Sequence, residues 1–180
     1  MITLRPATLE DASFVAWTVL TAVGITDIGH EQMMRVTEMC RRSDVLYSWR
    51  NSMIAENDGR LVGCLIAYNG ADYQQLRQVT FELIAREGGY DFRNMEPETE
   101  AGEYYLDSMA VLPEYRGQGI ATQLLQAGIE RARQLHLGRV SMVVSPEKPE
   151  VQRLYESLGF KHECDMFLFN EDYRKMVKKL

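Results

Sequence analysis

The sequence predicts an α/β layered fold in one domain, and three observations carry the prediction. From Tyr104 onward the chain reads strand, helix, strand, helix, strand, the order of a sheet covered by helices. Upstream, Asn57-Asp58-Gly59 stands between two apolar runs, a hairpin signal. At 180 residues the chain can bury one substantial core, so a single domain is expected over residues 1–180.

Each element has a local reason. Ile2 and Leu4 alternate with polar neighbours, predicting a short strand that stops near Pro6. Thr8, three residues before Asp11, is placed as a helix N-cap, and Ala12 to Val23 supplies an apolar helical face ended by Gly24. A second helix is predicted over Glu31 to Arg42, with Met33, Met34, Val36 and Met39 either packing in the core or lining an acceptor site. Met53 to Ala55 and Leu61 to Ala67 are the hairpin strands. Ala71 to Arg86 reads as helix, broken by Gly88-Gly89, and the acidic stretch Glu96-Pro97-Glu98 as loop. Tyr104 to Leu112 is a strand, Gly119 to Leu137 a helix stopped by Gly138, and Val140 to Val144 a strand. A short helix from Glu150 to Leu158 then leads, through Gly159-Phe160, into a final strand pair.

Composition excludes several classes. Twenty basic against twenty-six acidic residues give a formal charge of −6, a poor balance for binding nucleic acid, which runs on phosphate neutralisation. Cys40, Cys64 and Cys164 are odd in number and dispersed, which argues against a disulfide framework and a zinc site, so no metal is expected. No apolar run approaches the roughly 20 residues that span a bilayer, so no membrane partner is expected. The first residues lack the plan of a signal peptide, and a cytoplasmic location is expected.

The chemistry is concentrated between Leu106 and Ala121. Pro113 ends the strand, and Gly117 and Gly119 let the backbone approach a ligand or take positive φ. The first amides of the following helix point outward at the positive end of its dipole, an anion site suited to a pyrophosphate. A tight strand-to-helix turn without ligand is the plainer alternative for the glycines alone. A P-loop does not fit, since no Lys-Ser or Lys-Thr follows them. A dinucleotide fingerprint fits poorly, since its third glycine position holds Thr122.

Arg116-Gly117-Gln118-Gly119-Ile120-Ala121, preceded by a strand and Val-x-Pro-Glu-Tyr, resembles the Arg/Gln-x-x-Gly-x-Gly/Ala signature of the GCN5-related N-acetyltransferase (GNAT) superfamily. Leu154-Tyr155-Glu156-Ser157-Leu158-Gly159-Phe160 resembles its Leu-Tyr-x-x-x-Gly-Phe motif. Ile2 to Ala7 with Asp11, and the Asp58-Gly59 hairpin, fall where that family's first elements are expected. The resemblance implies a mixed, mostly antiparallel sheet with splayed central strands and flanking helices. It implies acetyl-CoA as co-substrate, its pantetheine arm on the backbone of Met109 and Val111 and its pyrophosphate on Arg116, Gly117, Gln118, Gly119, Ile120, Ala121 and Thr122. One departure is Lys148, where the family often carries Asn.

By the same resemblance Tyr155 is the general acid for the departing thiolate, against a plain amphipathic core tyrosine. An alkylamine must lose a proton before attack, which calls for a carboxylate. Strand alternation puts Glu103, Tyr105, Asp107, Met109 and Val111 on one face. Asp107 then lies about 13 Å from Val111, at roughly 3.3 Å per residue, and Glu103 about twice as far. Asp107 is the base candidate, with a structural aspartate as the alternative. The implied activity is transfer of acetyl to a primary amine of a small molecule. Protein N-terminal or lysine acetylation and a non-catalytic acyl-CoA sensor are the competing readings. Trp49 beside Tyr47 is a candidate flank of the acceptor pocket. Relatives are commonly dimeric, so a homodimer is the expected assembly.

Overall fold

The computed structural model describes residues 1–180. Seven strands form one sheet in the order β1-β2-β3-β4-β5-β7-β6. The strands are β1 (Ile2–Pro6), β2 (Ser52–Asn57), β3 (Arg60–Asn69), β4 (Glu103–Val111), β5 (Arg139–Val144), β6 (Lys161–Leu168) and β7 (Glu171–Lys179). Helices α1 (Ala12–Ala22), α2 (His30–Cys40) and α3 (Tyr73–Gly88) precede β4, while α4 (Ile120–Gln134) and α5 (Pro149–Ser157) flank β5. Every pairing is antiparallel except β4 with β5. The α/β fold with a mixed, mostly antiparallel sheet is therefore as expected. No helix is long and apolar enough to cross a membrane.

Two apolar layers sandwich the sheet. On one face α1 and α3 pack Val15, Ala16, Val19, Tyr73 and Phe81 against Ile54, Cys64, Ile66, Tyr68 and Tyr105. On the other, α4 packs Ile120, Leu124, Leu125 and Ile129 against Leu65, Leu106, Val140 and Met142. Met33 and Met39 lie against the first layer, as core packing requires, while Met34 is exposed. Gly128 lets α4 approach β4, since a Cβ there would stand 2.8 Å from Leu106 Cδ2.

Thr8 does act at the entry to α1, but through a single 3₁₀ turn (Leu9–Asp11) that precedes it. The Thr8 N–H and hydroxyl both donate to Asp11 Oδ2, at 2.7 and 3.0 Å, and Arg5 grips the same carboxylate. The expected stop of α4 at Gly138 needs correction. His136 takes the left-handed conformation (φ 54°) and the Leu137 N–H reaches back to Ala132 O at 3.0 Å, so the helix closes one turn earlier.

Two irregularities in β4 break the regularity of the central sheet. Its parallel pairing with β5 covers only Glu103↔Arg139, Tyr104↔Val140 and Tyr105↔Ser141, after which the strands part. Against β3, Ala67 pairs with Leu106 and Ile66 with Ser108, leaving Asp107 as the extra residue of a β-bulge.

Candidate active site

Beyond the last β4–β5 pair, β4 runs on to Val111, through a Pro113–Tyr115 turn, and into α4. Gly117 and Gly119 both take positive φ (74° and 76°), with nothing within 4 Å of where a Cβ would be. Other side chains would strain this backbone and fill the space in front of it. Gln123 donates its N–H to Gly119 O at 3.1 Å, which leaves the amides of Ile120, Ala121 and Thr122 at the open helix start. Val111, Tyr115, Arg116, Gly117, Gly119, Ile120, Ala121, Thr122 and Leu154 line a cleft of about 260 Å³ there. Seven of the nine residues expected to hold the co-substrate are thus gathered; Gln118 and Met109 lie off this wall. The Gln118 side chain donates through Nε2 to Glu114 O at 3.4 Å.

The Leu112 N–H donates to Val62 O across β3–β4 at 2.9 Å. Main-chain groups alternate in direction along a strand, so those of Ser108 and Ala110 also face β3, and those of Met109 and Val111 face the gap towards β5. Arg116 fills part of that gap, its Nε donating to Val111 O at 3.1 Å. The guanidinium therefore ties down the strand end rather than standing as a free charge.

The expectation that Glu103, Tyr105, Asp107, Met109 and Val111 share one face does not hold. Tyr105 packs in the α1–α3 layer, whereas Met109 and Val111 pack against the α4 layer. The bulge at Asp107 is the cause: one added residue inverts every side chain beyond it. Asp107 is half-buried on the Tyr68 side. Its Oδ2 accepts the Tyr68 hydroxyl and its Oδ1 accepts the Ser108 hydroxyl at 2.7 Å. Burial raises its carboxyl above the ordinary value, partly offset by those two donors. Glu103, the more distant candidate, is a structural acid, fully buried among Lys175 (3.0 Å), Arg139 (3.1 Å), Ser141 and Thr99.

The Acetyltransferase (GNAT) family profile matches residues 25–160, three-quarters of the chain. The chain belongs to the GNAT acetyltransferase family. It is 29% identical over 164 residues to a mycothiol acetyltransferase from Acidothermus cellulolyticus, covering 89% of this chain and 44% of that protein. The chain thus spans less than half the length of that relative. Among solved structures, an acetyltransferase superposes with TM-score 0.77 at 24% identity, covering 98% of both chains. An N-acetyltransferase from Staphylococcus aureus Mu50 superposes with TM-score 0.78 at 21% identity, covering 98% of this chain and 100% of that one. Both are likenesses of fold.

Acetyl transfer from acetyl-CoA is the general chemistry of GNAT proteins, and the residues present fit that co-substrate. The glycine turn is open, three helix amides are free and the β4 edge faces a gap. Tyr155, on α5, packs half-buried near Phe160 on the α4 side, ring centroids 6.2 Å apart. Burial pushes its phenol up to about 12, so it keeps its proton at neutral pH. Lys148 caps α5 through its backbone carbonyl, which accepts from Val151 and Gln152, and its side chain makes no cap.

On the other face the GNAT chain gathers acidic and phenolic groups that the sequence did not announce. Glu98, expected in a loop, is buried among Tyr73 and Tyr105. Tyr47 joins them: burial first, then the charges of Asp107 and Glu98, hold its phenol far above the ordinary range. Trp49 does not. It lines a separate shallow cleft with Leu9, Arg41, Arg42, Ser43, Asp44 and Arg50, where Arg42 is paired with Asp44. No local signal in the sequence marks Glu98, which lies in an aperiodic stretch between Pro97 and Thr99.

Proposed function

We propose that the chain is an acetyl-CoA-dependent N-acetyltransferase that acts on a primary amine of a small molecule by direct attack on the thioester. One observation carries this reading. Asp107, an acid with no cation at its side, stands two residues past the last β4–β5 pair on the face opposite Tyr155. A proton acceptor and a proton donor thus flank the gap from opposite sides.

The open turn at Gly117 and Gly119 and the amides of Ile120, Ala121 and Thr122 receive the pyrophosphate. The main-chain groups of Met109 and Val111 hold the pantetheine arm in the manner of an added strand. Arg116 keeps the end of β4 in place for that contact. Bound acetyl-CoA supplies the thioester carbonyl, whose carbon gains a C–N bond and loses its C–S bond. Asp107 takes one proton from the incoming ammonium group, freeing the lone pair. A β4 N–H near Val111 stabilises the oxyanion that forms. Tyr155 gives its proton to the departing sulfur and regains one from the acylated nitrogen. Asp107 returns its proton to water, so amide, thiol and one proton leave.

The long Ala71 to Gly102 segment supports a small acceptor. The Phe167 N–H donates to Glu96 Oε1 at 3.0 Å and the Phe169 N–H to Met95 Sδ at 3.3 Å, so this segment bridges α3 to the β6–β7 hairpin. The test is thiol release from acetyl-CoA across polyamines, aminoglycosides, amino acids and peptides. Turnover with a small amine is expected; turnover with peptides alone would replace the acceptor class. Binding without turnover anywhere would favour a sensor.

A further inference from the structure

Beneath Asp107 lies a second carboxylate. Glu98 is 4% exposed; its Oε2 accepts the Tyr105 hydroxyl at 2.7 Å, and its Oε1 stands 3.2 Å from the Tyr73 oxygen, the partner to which a protonated Glu98 donates. The Tyr68 ring packs against both tyrosines, 5.8 Å from Tyr105 and 6.3 Å from Tyr73 between centroids, and sends its own hydroxyl to Asp107. Three touching rings therefore divide their hydroxyls between two acids.

The other two buried acids have cations, Glu103 with Lys175 and Arg139, Asp11 with Arg5. Asp107 and Glu98 are bonded only by neutral hydroxyls. Arg77, a cation on α3, lies over the Tyr73 and Phe81 rings and donates to Met95 O. The remaining titratable groups facing the pair are Tyr47 before β2, Tyr68 on β3, Tyr73 on α3, Tyr105 on β4 and Tyr173 on β7. Two neighbouring carboxylates with no cation bonded to either do not both ionise readily, and Glu98, more deeply buried than the half-buried Asp107, is the one to keep a proton. Burial first, then the charge on Asp107, moves Glu98 up to about 8, so the proton rests there at neutral pH.

We propose that Glu98 is a positioning residue for the acceptor amine: by holding a proton beneath the Tyr68–Tyr73–Tyr105 rings, it leaves the pocket one negative charge, on Asp107, matched to a single ammonium group. The proposal rests on Asp107 as proton acceptor. It narrows the acceptor to an amine that presents one cationic nitrogen at this depth. When Glu98 ionises, two negative charges hold the ammonium more tightly and resist its deprotonation. Both kcat and KM then fall on the alkaline side.

The experiment is the pH dependence of kcat and KM with the best amine, in wild type, Glu98→Gln, Glu98→Ala, Tyr105→Phe and Asp107→Asn. Wild type should lose about tenfold in kcat per pH unit above pH about 8. Glu98→Gln should recover turnover lost in Glu98→Ala and lack the alkaline fall. Tyr105→Phe removes a donor that favours the ionised acid, so its fall should move to higher pH. A fall unmoved in Tyr105→Phe, or retained in Glu98→Gln, overturns the proposal. If Glu98→Gln does not fold, Tyr105→Phe decides. Full activity in Asp107→Asn would instead remove the reading of Asp107 beneath it.

Discussion

Tyr105 donates its hydroxyl to Glu98 at 2.7 Å, binding the middle of the sheet to the loop that leads into it. The contact gives the fold a pH dependence of definite sign. An acid moved from its ordinary 4.5 up to about 8 holds its proton more tightly folded than unfolded. Unfolding free energy should therefore decline as pH climbs from about 4.5 to about 8, and the decline should be shallower in Glu98→Gln. Denaturant unfolding at a series of pH values reads this directly. Parallel declines in the two proteins would assign the effect to other groups.

Tyr155→Phe should lower kcat by about 10²-fold or more while leaving acetyl-CoA affinity within a few-fold, because only the transferred proton is lost. Single-turnover kinetics and calorimetric titration separate the two quantities. Unchanged turnover would remove Tyr155 from the mechanism.

Gly119→Glu places a carboxylate where an anion should sit, on backbone with φ 76°. Acetyl-CoA binding should vanish, while the fold loses only about 1–2 kcal/mol for the left-handed conformation. A thermal melt beside the titration distinguishes a blocked cradle from an unfolded one.

Gly70→Ala acts at a distance. A Cβ at Gly70 would collide with the Glu100 carbonyl oxygen and stand 2.8 Å from Thr99 Oγ1. The loop carrying Glu98 must then move, at a cost of about 1–3 kcal/mol for overpacking, and turnover should fall with stability. A variant as stable and active as wild type would show that this loop tolerates displacement.

The proposed co-substrate half of the site was legible because it is local. Val111 to Thr122 is one strand–turn–helix, and proline and glycine act on the backbone wherever they stand. Tyr155 was legible only as part of a second short motif. The proposed acceptor half draws on Tyr47, Tyr68, Tyr73, Glu98, Tyr105 and Asp107, which meet only through strand register and helix packing. The bulge defeated the face assignment for a physical reason. Strict alternation assumes one partner per residue, and whether a strand carries an unpaired residue depends on the neighbour it meets. The early end of α4 at His136 is similar, since a non-glycine residue in the left-handed region competes with a nearby glycine that looks better suited.

Because Asp107 has no partner on β3, neither its identity nor its presence sets the register of the strand beyond it. Substitution there alters chemistry on the amine side and leaves the remainder of β4 in frame. Deletion would close the bulge: Leu106 and Ser108 already face Ala67 and Ile66, neighbours on β3, so Met109 and Val111 would keep Leu65 and Gly63 as partners and only the carboxylate would be lost. The same strand can thus exchange one acceptor chemistry for another at this position, by replacement or by loss of the bulged residue, while the wall that faces the gap stays as it is.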